Sequence, residues 1–165
     1  MVWQSLNGLW QFRQVGDDIW LAGEVPGGVH TDLLALDRIP DPFVEDNELA
    51  VQWVTESDWE YRRIFDVDPE LLSEERVFLV CDGLDTLVDV SVNGALIAQA
   101  DNMFRTYRWD VTSLLTSGAN ELHMTFASPV RYALHRQAER LMRAQRSHLQ
   151  GLDRQFQIVD RAGGR

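Results

Sequence analysis

The chain has 165 residues and a formal net charge of −11, from 26 acidic and 15 basic side chains. This length, with 45% hydrophobic residues, suits one domain with a sizeable core and excludes wholesale disorder. The negative charge would repel a phosphate backbone and argues against nucleic-acid binding, and the single cysteine excludes an internal disulfide.

The first part of the chain predicts one strand, one short helix and one irregular loop. Residues 6–15 carry several apolar side chains and are interpreted as an edge or cover strand. Val25–Gly28 reads as a turn, because proline fixes φ and glycine permits a bend, and Val29–Leu36 as a short helix. Two prolines in Arg38–Glu48 forbid a helix and a central strand there. This loop carries four carboxylates and an aromatic, and it is either a functional loop or a solvated connector.

The middle of the chain predicts an antiparallel β framework. Val88–Val92 alternates apolar and polar residues and runs into Asn93-Gly94, the dipeptide that best suits a tight hairpin turn. Asp68 followed by Pro69 predicts a helix N-terminus. The other predicted strands are Trp59–Val67, Arg76–Cys81 (apolar on both faces and therefore placed centrally), the return strand from Ala95, Thr106–Val111, and a last strand ending at Phe126.

The C-terminal part changes character. Residues 131–149 contain no glycine or proline and have apolar residues at helical spacing, which predicts an amphipathic helix. The predicted organisation is a β-sandwich domain over residues 1–130, a helix over 131–150, and a frayed tail over 151–165. The fold class is mostly β, with short helices and this C-terminal helix.

Chemistry is not visible in the residues alone. The chain lacks a Gly-x-Ser-x-Gly nucleophile motif, a glycine-rich phosphate loop, and histidine and cysteine at metal-ligand spacing, so we expect no catalytic residue, metal or cofactor. Cys81 ends an apolar run and is expected to be a buried, unreactive thiol. Six tryptophans would suit a sugar binder, but most are expected to fill the core. No apolar run approaches a membrane span and no signal peptide is recognisable, so we expect a cytoplasmic protein without membrane contact.

Several strings together resemble the β-mannosidases of glycoside hydrolase family 2. They match in family order from about Leu6 to Arg131, and as a set they are highly specific. The matching strings are Val25–Leu34, Ile39–Phe43 with Asp46–Glu48, Asp58–Arg63, Gly83–Thr86 with Val90–Gly94, and Ala100–Arg105 with Trp109–Thr112.

The resemblance implies a galactose-binding-domain-like β-sandwich, or jelly roll, at the N-terminus of an exo-β-mannosidase that removes terminal non-reducing β-D-mannose. Family members are several times longer and carry immunoglobulin-like domains and a barrel with both catalytic glutamates. We therefore expect a truncated chain that is inactive alone, whose partners are β-mannosides or oligosaccharides and the missing domains. By family position, five residues are expected to wall the substrate pocket: Asp46, Asn47, Trp53, Asn102 and Phe104.

Two other functions fit a β-sandwich of this kind. One is a stand-alone carbohydrate-binding module, and the other is a purely structural domain that orders its neighbours, because a fold by itself does not carry a function. For the five wall residues the structural alternative is that Asp46 and Asn47 cap turns and that Trp53 belongs to a domain interface.

Overall fold

The computed structural model describes residues 2–143. Over this range the chain forms a mostly antiparallel β structure with short helices. The elements in chain order are β1 (Gly8–Gln14), β2 (Leu21–Val25), α1 (Val29–Ala35), α2 (Asn47–Ala50), α3 (Gln52–Glu56), β3 (Trp59–Asp66), α4 (Pro69–Leu72), β4 (Phe78–Cys81), β5 (Leu87–Val92), β6 (Ala95–Ala100), β7 (Tyr107–Asp110) and β8 (Ala119–Ala127).

The strands form two antiparallel sheets. Six lie in one sheet in the order β2-β1-β3-β8-β5-β6, and β4 pairs with β7 in the other. Leu79 from β4 and Trp109 from β7 pack against the buried cluster of the large sheet, so the core lies between two layers. The predicted antiparallel β-sandwich is confirmed.

The core is built from alternate residues of neighbouring strands, as the two-residue period of a strand requires. Phe12 is fully buried at its centre, with its ring centroid 5.4 Å from that of Tyr61 and 6.0 Å from that of Trp59. The strand residues that share this buried face are Trp10, Phe12, Trp59, Tyr61, Val88, Val90, Val92, Ala100, Leu122 and Met124.

Several local predictions hold. Asn93 and Gly94 have φ values of 51° and 79°, as a tight hairpin between β5 and β6 requires. The short helix at Val29 forms, and Asp68 caps α4 by accepting a hydrogen bond from the backbone N–H of Glu70 at 2.9 Å. Pro69 begins that helix because a first-turn N–H needs no partner within the helix.

Two strand predictions are wrong. β1 is not an edge strand, because β2 pairs with its outer side; the sequence of β2 is short and contains a glycine, so it lacks a clear alternation. The strand predicted at Arg76–Cys81 is not central: among residues 2–143, β4 pairs only with β7, and Val80 is half exposed. An apolar residue on both faces therefore did not mean burial on both faces.

Two further predictions need correction. The loop expected to run to Glu48 ends earlier, because α2 begins at Asn47. Two of the six tryptophans, Trp10 and Trp59, are buried in the core, and Trp109 is partly buried against it, so most of the tryptophans do not fill the core.

The chain divides into two compact units, Met1–Pro129 and Val130–Arg165. Residues 129–143 are helical, and within them His135 and Arg136 each contact Glu139, at 3.3 and 3.6 Å. The rest of the predicted helix, 144–150, and the predicted tail, 151–165, lie outside the described residues.

Candidate functional site

Strand register brings several connecting segments to one end of the six-stranded sheet. Trp59 at the start of β3 pairs with Phe126 near the end of β8, and Leu87 at the start of β5 pairs with Ala127. Val88 pairs with Ala100 at the end of β6. We call this the upper end: the end at which β3 and β5 begin and β6 and β8 end.

Three of the five predicted wall residues lie on segments at the upper end. Trp53 is in α3, which leads directly into β3, and Asn102 and Phe104 are in the loop that follows β6. Asp46 and Asn47 lie one short helix earlier, and α2 contacts α3. The common destination of these segments follows from β pairing between residues distant in sequence.

The segment before α2, residues 38–46, is called the acidic loop, and hydrogen bonds within this part of the chain hold it. The Asn47 side-chain amide donates to the Asp41 carbonyl at 2.9 Å, and the Phe43 N–H donates to the Asp41 carboxylate at 3.0 Å. Asp46 precedes α2 but makes no side-chain cap hydrogen bond. Asn47 therefore braces the loop, whereas the exposed carboxylate of Asp46 is not used in capping.

Two hydrogen bonds fix helix α3 to the sheet, and a third fixes the residue before β3. The Trp59 indole donates to the Val54 carbonyl at 2.8 Å, the Ser128 hydroxyl donates to the Thr55 carbonyl at 2.7 Å, and the Ser128 N–H donates to the Asp58 carboxylate at 2.7 Å. Ser128 is buried, and it lies directly after β8. Ser128, which is distant from α3 in sequence, therefore helps to fix the position of α3.

Trp53 is backed by this arrangement. Its ring centroid lies 5.9 Å from that of Trp59 at an interplanar angle of 43°, and 40% of the residue is exposed. An indole held from behind and open in front offers a rigid apolar contact surface.

The loop after β6 is organised by Tyr107. Its hydroxyl donates to the Asn102 carbonyl at 3.0 Å and accepts from the Asn102 N–H at 3.1 Å, and its ring stacks on Trp109 at 5.3 Å. The Asn102 side-chain oxygen accepts the Phe104 N–H at 2.9 Å. These bonds hold a tight loop in which Phe104 remains 88% exposed.

The same segments expose further apolar side chains that sequence reasoning did not select. Phe43 is 97% exposed, and Leu49 and Met103 are also exposed. The signal for Phe43 was its place directly after Pro42 in an acidic loop, where an aromatic side chain has no strand or helix face to bury it. Together these segments offer apolar contacts and amide or carboxylate hydrogen bonds; the described residues contain no group of three potential metal ligands.

A buried carboxylate lies elsewhere, between α1 and the sheet. Asp32 accepts the Tyr61 hydroxyl at 2.6 Å and the Glu24 N–H at 3.1 Å, and it is 6% exposed. Burial, followed by the hydrogen bond to Asp32 and its charge, raises the pKa of Tyr61 well above its ordinary value. The sequence alone did not reveal this pair, which holds α1 against β2 and β3.

Cys81 is half-buried rather than buried. Burial first and the charge of Asp82 second raise the pKa of its thiol to about 11. Its expected lack of reactivity at neutral pH therefore has a physical cause in the scarcity of thiolate.

The chain has relatives among glycoside hydrolases. Residues 10–158 match the family of glycosyl hydrolase 2 galactose-binding domain-like proteins. The chain is 44% identical over 122 residues to β-mannosidase B of Thermothelomyces thermophilus and 33% identical over 129 residues to the β-mannosidase of Mus musculus. These alignments cover 72% and 78% of this chain, which spans 14% and 15% of the relatives.

The crystal structure of a β-D-mannosidase from Dictyoglomus thermophilum superposes with a TM-score of 0.78 at 43% identity, over 79% of this chain and 16% of that one. An exo-chitosanase from Amycolatopsis orientalis shares the fold, with a TM-score of 0.63 at 22% identity, over 73% of this chain and 16% of that one. Within residues 2–143, no helix has the length and apolar character needed to cross a bilayer. The chain belongs to the galactose-binding-like domain family of glycoside hydrolase family 2 and corresponds to the N-terminal domain of its β-mannosidases.

Proposed function

We propose that this chain serves a retaining exo-β-mannosidase by walling one side of its substrate pocket and by binding its neighbouring domains. The observation that carries the proposal is the exposure of aromatic side chains on the segments at and leading into the upper end, in a chain whose relatives are β-mannosidases several times longer. The partners would be the barrel and immunoglobulin-like domains, and the ligands β-mannosides or their oligosaccharides.

The apolar side chains of Trp53 and Phe104 form the apolar part of the pocket wall in this proposal. Both lie on braced backbone and would lose water contact when a sugar ring or the barrel beside the pocket covers them, which is favourable in proportion to the apolar area buried. Their rigidity lowers the entropic cost of that association.

The polar side chains supply contacts to sugar hydroxyls. Asp46 offers two acceptor oxygens, and the Asn102 amide nitrogen offers donors while its oxygen is occupied by the Phe104 N–H. Asn47, which braces the acidic loop, would act by holding Asp46 in place. These assignments belong to the proposal, as does a cytoplasmic location.

Bond cleavage in this proposal takes place on the barrel. Retaining hydrolysis uses two carboxyl groups about 5 Å apart that flank the scissile bond. We assign both to the barrel and no catalytic residue to this chain. The isolated chain should therefore release no product from an aryl β-mannoside, and turnover by the pure chain would overturn the proposal.

Calorimetric titration of the same chain with mannose and manno-oligosaccharides separates the alternatives. Clear binding would favour a stand-alone carbohydrate-binding module. Absence of binding would agree with a pocket wall that binds sugar only together with the barrel, or with a structural domain that binds no ligand.

A domain exchange distinguishes those last two. The equivalent domain of the D. thermophilum β-mannosidase is replaced by this chain, and Asn102→Ala is compared with Ile64→Ala, an exposed residue of β3. Loss of one hydrogen bond to a neutral sugar should lower kcat/KM by roughly two- to tenfold in the Asn102 variant. Equal kinetics in the two variants would favour the structural domain.

A further inference from the structure

The sequence contains two Asn-Gly dipeptides, Asn7-Gly8 and Asn93-Gly94. Asparagine before glycine is chemically labile, because glycine has no side chain to obstruct attack of its backbone nitrogen on the asparagine side chain. The structure treats the two asparagines differently, and the difference determines which of them can react in the folded protein.

The side chain of Asn93 is held by three hydrogen bonds. Its amide nitrogen donates to the Leu114 carbonyl at 2.7 Å and to the Asn120 side-chain oxygen at 2.8 Å. Its oxygen accepts the Glu121 N–H at 2.8 Å. The backbone is held as well, because the Asn93 N–H donates to the Glu121 carbonyl at 2.9 Å.

The partner Asn120 is itself fixed. It is 1% exposed and donates to the carbonyls of Thr116 and Gly118, both at 2.8 Å. Its oxygen also accepts the Thr116 N–H at 2.9 Å. Asn93 is exposed, but its side chain thus joins the β5–β6 hairpin to the buried Asn120 at the start of β8 through hydrogen bonds that leave little freedom to rearrange.

Asn7 provides the contrast. Its backbone carbonyl accepts a hydrogen bond from the Arg63 guanidinium at 2.9 Å, but among residues 2–143 its side-chain amide has no hydrogen-bond partner. Both asparagines are exposed, so the contrast between them lies in the hydrogen bonds of their side chains. The Asn7 side chain can therefore rotate toward the Gly8 nitrogen without breaking a side-chain hydrogen bond.

We propose that Asn93 is a modification site controlled by folding: it is inert while the hairpin is closed on β8 and deamidates when the hairpin opens. The Gly94 nitrogen, after losing its proton, attacks the side-chain carbonyl carbon of Asn93. A carbon–nitrogen bond forms, the bond to the amide nitrogen breaks, and ammonia leaves. Water then opens the resulting succinimide to aspartate or isoaspartate.

The product cannot restore the native contacts. A carboxylate at position 93 has no donor for the Leu114 carbonyl or the Asn120 oxygen, and it places negative charge against both acceptors. Isoaspartate also lengthens the backbone at the hairpin turn, which displaces the register of β5 against β6. Opening of the hairpin followed by deamidation therefore makes unfolding irreversible.

The test follows both dipeptides in one sample of the full 165-residue chain. Folded and urea-unfolded protein are incubated in the same mildly alkaline buffer, folding is monitored by circular dichroism, and peptide mass spectrometry counts aspartate and isoaspartate at positions 7 and 93. Both sites should react in urea. In the folded sample Asn7 should react, and Asn93 should be slower than in urea by roughly the fraction of open molecules, about a thousandfold for a stable domain.

Two results would overturn the proposal: Asn93 reacting in folded protein as fast as in urea, or remaining an amide in urea while Asn7 reacts. The consequence is tested with N93D and the matched control N7D. N93D should unfold at a lower urea midpoint than the parent chain or fail to refold, whereas N7D should unfold at the midpoint of the parent chain. An unchanged midpoint in N93D would show that the network tolerates the acid and would refute the irreversible step.

Discussion

At the residue scale, the pair of Asp32 and Tyr61 determines how α1 lies on the sheet. A carboxylate this deeply buried requires donors, and it receives one from the Tyr61 hydroxyl and one from the Glu24 backbone. The pair contains no cation, so the phenol must remain protonated to serve as a donor. Two consequences can be measured.

The first concerns the hydroxyl itself. Tyr61→Phe keeps the ring on Phe12 but leaves one oxygen of Asp32 without its donor, so the free energy of unfolding should fall by about 1–3 kcal/mol. Urea unfolding measures it. Tyr107→Phe is the matched control, because its hydroxyl bonds lie at exposed sites where water can replace them. An equal loss in both variants would contradict a special role for the buried pair.

The second concerns alkaline pH. The pKa of Tyr61 is raised in the folded protein above the unfolded value of 10.0, so the native state retains the proton more tightly. The stability that this contributes is fully present below pH 10.0 and is lost as the pH rises beyond it. Urea midpoints measured across this range should fall more steeply in the parent chain than in Tyr61→Phe. Parallel curves would refute the assignment.

At the element scale, the approach of α1 to β2 depends on a missing side chain. A β-carbon at Gly23 would lie 2.8 Å from an Asp32 carboxylate oxygen and 2.9 Å from the Phe12 ring. Phe12 is fully buried and Asp32 is bonded on both oxygens, so neither can move without loss. Side chains of β1 and α1 therefore pack directly against the Gly23 backbone of β2, and this close packing holds the short strand in place.

The prediction for this contact is that Gly23→Ala lowers the free energy of unfolding by about 1–3 kcal/mol through overpacking. Gly28→Ala is the matched control: a β-carbon there meets nothing within 4 Å, and φ of −161° is extended backbone. Gly28 is the N-cap residue of α1, where alanine is less favourable than glycine, so that variant should cost about 0.5 kcal/mol. Urea unfolding of both decides it, and equal costs would show that the close approach relaxes freely.

At the scale of the whole molecule, the domain exposes aromatic side chains at the acidic loop and at the upper end. Phe43 and Phe104 are almost fully exposed, whereas Phe12 is fully buried in the core of the same domain. Exposed aromatic residues add nothing to the stability of the isolated chain and promote association between copies.

Replacing both exposed rings, as Phe43→Ser with Phe104→Ser, should leave the urea midpoint unchanged and reduce concentration-dependent self-association. Phe12→Ala, the matched control of the same residue type, should cost about 3–5 kcal/mol because it leaves a cavity in the core. Sedimentation velocity and urea unfolding measure the two effects. A lower midpoint in the double variant would mean that these rings support the fold after all.

Local patterns in the chain were sufficient for much of the fold. The period-2 alternation of β5, the Asn93-Gly94 turn and the capped start of α4 depend on neighbouring residues, and each formed as predicted. The strings that resemble the β-mannosidases also predicted the galactose-binding-like sandwich. Elements that depend only on the φ and ψ preferences and the hydrophobic period of a short segment could therefore be predicted from the sequence.

Tertiary structure decided what depends on distant partners. Whether β1 lies at an edge is set by β2, and the burial of Asp32 is set by Tyr61 across 29 positions. The five wall residues stay a prediction, but the convergence of α3 and the loop after β6 on one end follows from strand register alone. Strand pairing and packing join residues that are distant in sequence, so no local pattern can predict which element a given strand or helix will contact.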